Sequence, residues 1–187
     1  NRIKVLINEI KDETVKNYYK KNYLQKLQDL KSIRPLFFLA EADDAPLHNA
    51  GFDATYTWRE YNVIKEVAAG KKDVTYLDTI FNTIDTSFMK GAWRLYFTSN
   101  HDENSWNGTE REKYGIYNNA LTAFSFVYSC SLPLIYSGQE IPNERRLAFF
   151  DKDDLHWPEI LLNEHLYQKL SKLRREMQVS DELHFQY

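Results

Sequence analysis

At 187 residues the chain has the length of one domain, or of part of a larger one. Its 43% hydrophobic and 15% aromatic content excludes a disordered polypeptide, and 24 basic against 27 acidic residues leave a net charge of −3, which excludes a broad basic footprint for nucleic acid or an anionic membrane. A single cysteine, Cys130, excludes an internal disulfide framework or cysteine metal cluster, and no apolar run reaches the length of a membrane span.

Asn1 to Ile10 lacks the small-residue end of a cleavable signal peptide, and a start without methionine is expected of a cut or processed chain. Residues 12–31 read as a helix: Asp12 or Thr14 can cap it, and Val15, Tyr19, Tyr23, Leu27 and Leu30 recur at helical spacing. Arg34-Pro35 ends it, because proline disfavours helix for the residue before it. An apolar strand over 36–40 then turns acidic at Glu41, Asp43 and Asp44. After a connection with Pro46 and Gly51, residues 52–58 read as a short strand, followed by helices over 59–69 and 73–84 separated at Gly70. In the second of these Leu77, Ile80, Phe81 and Ile84 form the buried stripe.

The strand over 94–98 runs into the polar stretch Asn100-His101-Asp102-Glu103-Asn104. A long apolar helix over 112–131 should follow, with Cys130 as a small core residue, and then a fourth strand, Pro133-Leu134-Ile135-Tyr136, ending in Ser137-Gly138-Gln139-Glu140. A charged loop reaches Pro158, and Leu162, Leu166, Leu170 and Leu173 mark a last helix. Four alternations of nearly apolar strands with helices give an α/β chain whose parallel strands are covered on both faces. In a closed β/α barrel the functional groups sit at the carboxyl ends of strands, where Glu41, Asp102 and Glu140 fall, yet eight units need about 250 residues and only four are visible.

Phe37-Phe38-Leu39-Ala40-Glu41, Phe97-Thr98-Ser99-Asn100-His101-Asp102 and Leu132-Pro133-Leu134-Ile135-Tyr136-Ser137-Gly138-Gln139-Glu140 resemble three consecutive signatures of the α-amylase family of glycoside hydrolases. Gly51-Phe52-Asp53 to Trp58 resembles the segment between the first two, and the likeness covers roughly residues 12 to 175. The resemblance implies strands five to eight of a (β/α)8 TIM barrel, so that residues 1–187 form a partial catalytic barrel domain. It implies Glu41 as general acid/base, Asp102 as the carboxylate that stabilises the transition state and His101 as a hydrogen-bond partner of the central sugar. The implied activity is retaining hydrolysis of α-glucosidic bonds in starch-like glucans or oligosaccharides. That chemistry needs a carboxylic acid to protonate the departing oxygen and charged carboxylates to favour an oxocarbenium-like sugar.

The family's nucleophile is an aspartate at the end of strand four, in a Gly-Phe-Arg-x-Asp-like segment, and no such segment occurs here. Asp43 and Asp44 belong to the loop after the strand and are poor substitutes, so the chain alone is expected to be inactive, its missing half holding the nucleophile. That half, or a second copy, should cover the two open sheet edges.

Asn100, Trp106, Tyr136, Gln139 and Glu140 join His101 as substrate-binding positions. Trp106 lies in a polar loop and suits a sugar face, while Trp58 and Tyr136 are equally suited to the core, and Gln139 and Glu140 equally to anchoring their loop. Arg145 and Arg146 read as a solvated charge pair, and Asp151, Asp153 and Asp154 as a solvated acidic turn without the ligand series of a calcium loop. No metal site or cofactor is expected in this segment; the calcium that family members often bind is held by the barrel's first half and its inserted domain. Transglycosylation by the same site, and a non-catalytic carbohydrate-binding barrel, stand as alternatives. Degradation of polysaccharide would suit an extracellular or periplasmic parent, although the residues themselves do not encode a location.

Overall fold

A computed structural model describes residues 11–19, 21–22 and 25–184. Two helices, α1 (Glu13–Tyr19) and α2 (Gln25–Ile33), occupy the range where one was expected. Asp12 caps α1 as its position implies, its Oδ1 accepting from the N–H groups of Thr14 and Val15 at 2.8 and 3.1 Å. The apolar stripe of this region is poorly covered: Val15, Leu30 and Ile33 are exposed, and Tyr23 lies outside the described residues.

Four short strands follow: β1 (Leu39–Ala40), β2 (Ala54–Tyr56), β3 (Trp93–Tyr96) and β4 (Ser131–Pro133). They pair in chain order and all in parallel, with Leu39 opposite Ala54, Ala54 opposite Trp93, and Arg94 opposite Ser131. Parallel neighbours require crossovers, here supplied by α3 (Pro46–Asn49), then α4 (Trp58–Ala68) with α5 (Thr75–Ser87), then α6 (Glu110–Tyr114) with α7 (Asn118–Val127). A last helix, α8 (Glu164–His184), packs on α7 through Phe126, Tyr167 and Leu170. Because every strand runs the same way, the segments after β1, β2, β3 and β4 emerge at one rim.

The strands are shorter than the apolar runs that announce them, and the departures have local causes. Trp58 is the first residue of α4 rather than the end of a strand; it packs edge-on to Phe97 and Tyr61 and stacked on Tyr56, so its ring belongs to the core. β4 begins two residues earlier than expected and stops at Pro133, after which only the Leu134 N–H, donating to the Tyr96 carbonyl at 2.9 Å, continues the ladder. The helix expected over 112–131 is split: Gly115 adopts φ +53°, which ends α6, and a single 3-10 turn over Gly115–Tyr117 leads into α7. Cys130, expected in the core, is partly exposed and takes φ +54° in the turn before β4.

The main core joins Tyr56, Tyr61, Leu95, Phe97 and Tyr114, with Trp58, Leu121 and Leu134 against it. The stripe of α5 behaves as read: Ile84 is buried with Phe88 and Ala92, Ile80 packs beside them, and Phe81 meets the rings of Phe124 and Tyr128. Asp53 ties α2 to the sheet, accepting from Lys31 Nζ at 2.7 Å and from the Phe38 N–H at 2.6 Å. Burial opposes its ionisation, but these donors prevail and lower its pKa.

Candidate functional site

Glu41 follows β1 without an intervening residue, and His101 and Asp102 follow β3 by way of Phe97 to Asn100. Although β2 separates those strands, one ligand atom each from Glu41, His101 and Asp102 lies within 4.8 Å of the others. The His101 Nε2 is 3.6 Å from an Asp102 oxygen. Glu41 and His101 are exposed and Asp102 is half-buried, so the two acids are open to a ligand.

The loop after β3 is fixed from below. Ser99 and Asn100 are buried, and the Asn100 Oδ1 accepts from the Glu103 N–H at 2.8 Å, opening the wide helical turn Glu103–Asn107. The buried Glu103 carboxylate accepts from the Tyr61 hydroxyl and from Asn107 Nδ2 at 3.0 Å. Lys113 lies behind it with Nζ 3.4 Å from the Ser99 hydroxyl; burial pushes its pKa down to about 8 against the pull of Glu103 and Glu110. These contacts turn His101 and Asp102 outward. After the turn, Thr109 caps α6 reciprocally with Glu112: the Thr109 Oγ1 accepts from the Glu112 N–H, and the Glu112 carboxylate accepts from the Thr109 N–H.

The loop after β1 is held by arginines. Asp43 accepts from Arg59 Nη2 at 3.0 Å and from Arg94 Nη2 at 2.8 Å. Burial opposes its charge, yet the Arg59 hydrogen bonds and the Arg94 guanidinium hold its carboxyl below the usual 3.8. Asp43 is therefore engaged by the two arginines. Arg94, at the start of the run read as apolar, also bonds both oxygens of Glu60 at 2.8 and 2.9 Å; Glu60 is 0% exposed, and burial raises its pKa despite that cation. A charged residue inside an otherwise apolar strand was the available signal for this network.

Tyr56, the last residue of β2, is buried in the main core; burial first, with the charges of Glu41 and Asp102 adding to it, raises the pKa of its phenol.

The other positions divide. Gln139 is buried and its side chain meets protein on every polar atom: Nε2 donates to Thr98 Oγ1 and Glu110, and Oε1 accepts from the Tyr136 N–H. Glu140 accepts from the Gly138 N–H at 3.1 Å, and Tyr136 is half-buried with its pKa raised by that burial. Trp106 is 58% exposed. Arg145 and Arg146 are exposed, as read, and each is engaged at the surface: Arg145 bonds Asp153 at 2.7 Å and Arg146 bonds Glu112 at 3.0 Å. Asp153 is thereby occupied by an arginine, whereas the Asp154 carboxylate pairs with the exposed Lys152. Among the described residues, the donors that converge as metal ligands would are Glu41, His101 and Asp102 themselves.

The chain superposes on a noncanonic maltogenic alpha-amylase, AmyB from Thermotoga neapolitana, with a TM-score of 0.68 and 22% identity over 82% of this chain and 35% of that one. An alpha-amylase from Lactobacillus plantarum gives a TM-score of 0.68 and 22% identity, covering 81% of this chain and 40% of the other. The chain folds like part of an α-amylase. An alpha-amylase from H. orenii matches at a TM-score of 0.53 and 17% identity over 93% of this chain and 42% of that one. At such identities the likeness is one of fold: the α-amylase-like chain is a portion of an α/β barrel, spanning about 35–42% of the matched structures. No family model and no curated protein matches it.

Proposed function

We propose that the chain supplies strands five to eight of the catalytic barrel of a retaining glycoside hydrolase that cleaves α-glucosidic bonds in starch-like glucans or oligosaccharides. The observation that carries this reading is the convergence of Glu41, His101 and Asp102 within 4.8 Å from non-adjacent strands. Glu41 acts as the acid: its carboxyl proton passes to the glycosidic oxygen as the C1–O bond breaks. Asp102 stays ionised and faces the positive charge that grows at C1 and the ring oxygen, while His101 donates to a sugar hydroxyl. The carboxylate that attacks C1 belongs to residues outside this chain, because Asp43 is engaged by two arginines. Glu41, now a carboxylate, then takes a proton from the water that releases the sugar. Where a sugar hydroxyl takes the water's place, the same steps transfer the glycosyl group. Calcium, where the complete enzyme holds it, would be bound by its other half.

Both outer sheet edges lack a paired strand among the described residues, and the complementary half barrel is the partner that covers them. Asp102→Asn in the complete polypeptide should lower the release of reducing ends from starch by about 100- to 1,000-fold, the usual effect of removing one preorganised electrostatic group. Unchanged release would take Asp102 out of the chemistry.

A further inference from the structure

From Arg94 to Asn104 only His101 and Asp102 reach solvent; every other residue of that stretch is buried. Upstream of the pair the chain is fixed by the sheet and by ties to its neighbours. The Tyr114 hydroxyl donates to the Thr98 carbonyl at 3.0 Å, and the Thr98 hydroxyl donates to Glu110 and accepts from Gln139 Nε2 at 2.8 Å. Downstream no strand follows. The backbone leaves Asp102 through the wide turn Glu103–Asn107, a rare helical form that is frequent at functional sites.

An acid holds the start of that turn. Glu103 is 6% exposed, and its carboxylate accepts from the Tyr61 hydroxyl and from Asn107 Nδ2 at 3.0 Å, with Lys65 Nζ 3.9 Å away. Tyr61, on α4, is itself buried, and its ring stacks on Phe97 with 4.8 Å between centroids and 22° between planes. One phenol therefore holds the segment on both sides of the exposed pair: its ring fixes Phe97 ahead of His101, and its hydroxyl fixes Glu103 directly after Asp102. Burying a carboxylate costs free energy that a packed apolar side chain would not, so stability alone does not account for an acid here. A directional hydrogen bond does account for it, because it fixes where the turn begins.

We infer that Glu103 is a positioning residue: held by Tyr61, it sets the place of the Asp102 carboxylate against the substrate, and its loss lowers the rate of bond cleavage more than substrate affinity. This deepens the glycosidase reading and rests on it. Asp102 faces charge that develops only in the transition state, so its displacement is felt in kcat rather than in KM. A misplacement of about 1 Å costs on the order of 100-fold.

In the complete polypeptide, Tyr61→Phe keeps the ring on Phe97 and removes the hydroxyl alone. It should lower kcat on maltoheptaose by about 10- to 100-fold and change KM by less than about twofold. Glu103→Ala should lose as much, and Glu103→Gln, whose amide oxygen still accepts from Tyr61, should regain most of the loss. Tyr61→Phe/Glu103→Ala should lose no more than either single variant, because both remove one contact. Ile84→Val, in the cluster with Phe88 and Ala92, supplies the control for stability: it should lower the melting temperature by about 1–6 °C and leave kcat unchanged. A Tyr61→Phe kcat within about twofold of wild type, losses that add in the double variant, or an equal loss in Ile84→Val overturns the positioning role. Amide exchange reads the clamp without turnover. The Glu103 N–H, which donates to Asn100 Oδ1, should exchange about tenfold faster in Tyr61→Phe, and an unchanged rate overturns the clamp. Faster exchange in a polypeptide that hydrolyses no glucan keeps the clamp on Asp102 and removes the glycosidase reading.

Discussion

Glu41→Gln in the complete polypeptide lowers kcat on starch or maltoheptaose by about 100- to 10,000-fold, and far less on an aryl glucoside whose phenolate leaves unaided. The amide keeps the size of the carboxyl group but cannot deliver a proton to the glycosidic oxygen. With a sugar as leaving group that proton is needed in the transition state; with an acidic phenol it is not. Glu41 is exposed and sits at the carboxyl end of β1, so the substitution does not disturb the core, and a loss of turnover without a change in melting temperature isolates the chemical role. Equal losses on both substrates would make Glu41 a binding group, and unaltered hydrolysis of starch would remove it from the mechanism.

Arg94→Leu destabilises the fold by about 3–5 kcal/mol, which for a domain of this size lowers the melting temperature by roughly 6–20 °C. Arg94 is the shared cation of Glu60 and Asp43, also donates to Thr55 Oγ1 at 2.7 Å, and lies over the Phe88 ring at 3.9 Å. Its loss leaves the wholly buried Glu60 charge unpaired. The pH dependence follows in sign. Burial already raises the folded pKa of Glu60, and removing the cation raises it further, so the folded variant binds a proton that the unfolded chain does not. Its deficit is therefore greatest above that folded pKa and shrinks as pH falls through it. Asp43 in wild type works the other way: its folded pKa is depressed, so its contribution is present above about 3.8 and is lost as pH falls lower. Urea unfolding of Arg94→Leu and Arg94→Leu/Glu60→Leu at pH 8 and pH 5 checks the first statement, and urea unfolding of wild type at pH 5 and pH 3 checks the second. The double variant should recover much of the loss, and a single variant as stable as wild type would contradict the network.

The parts of the molecule decided by local patterning were legible in the sequence. Apolar runs bounded by acids placed β1 and β3, and the Leu77, Ile80, Phe81 and Ile84 spacing placed α5 with its buried face. What the residues did not disclose depends on contacts distant in the chain. The break at Gly115 is a backbone choice inside an apolar pattern that reads as one helix, and the burial of Arg94 becomes intelligible only once Glu60, 34 positions earlier, and Asp43, 51 positions earlier, are in contact with it. The site divides in the same way. Glu41, His101 and Asp102 stand at strand ends, where position implies a role, whereas the approach of Phe149 to the His101 ring needed the fold to bring it about.

In the proposed reading Glu41 acts together with a nucleophilic carboxylate from outside this chain, so that each bond cleaved passes through a glycosyl-enzyme intermediate. Proton NMR of the first maltooligosaccharide released from maltoheptaose by the complete polypeptide, recorded before mutarotation, tests that directly. Retention, seen as an initial excess of the α-anomer at the new reducing end, is the predicted result. An initial excess of the β-anomer would show inversion and contradict it.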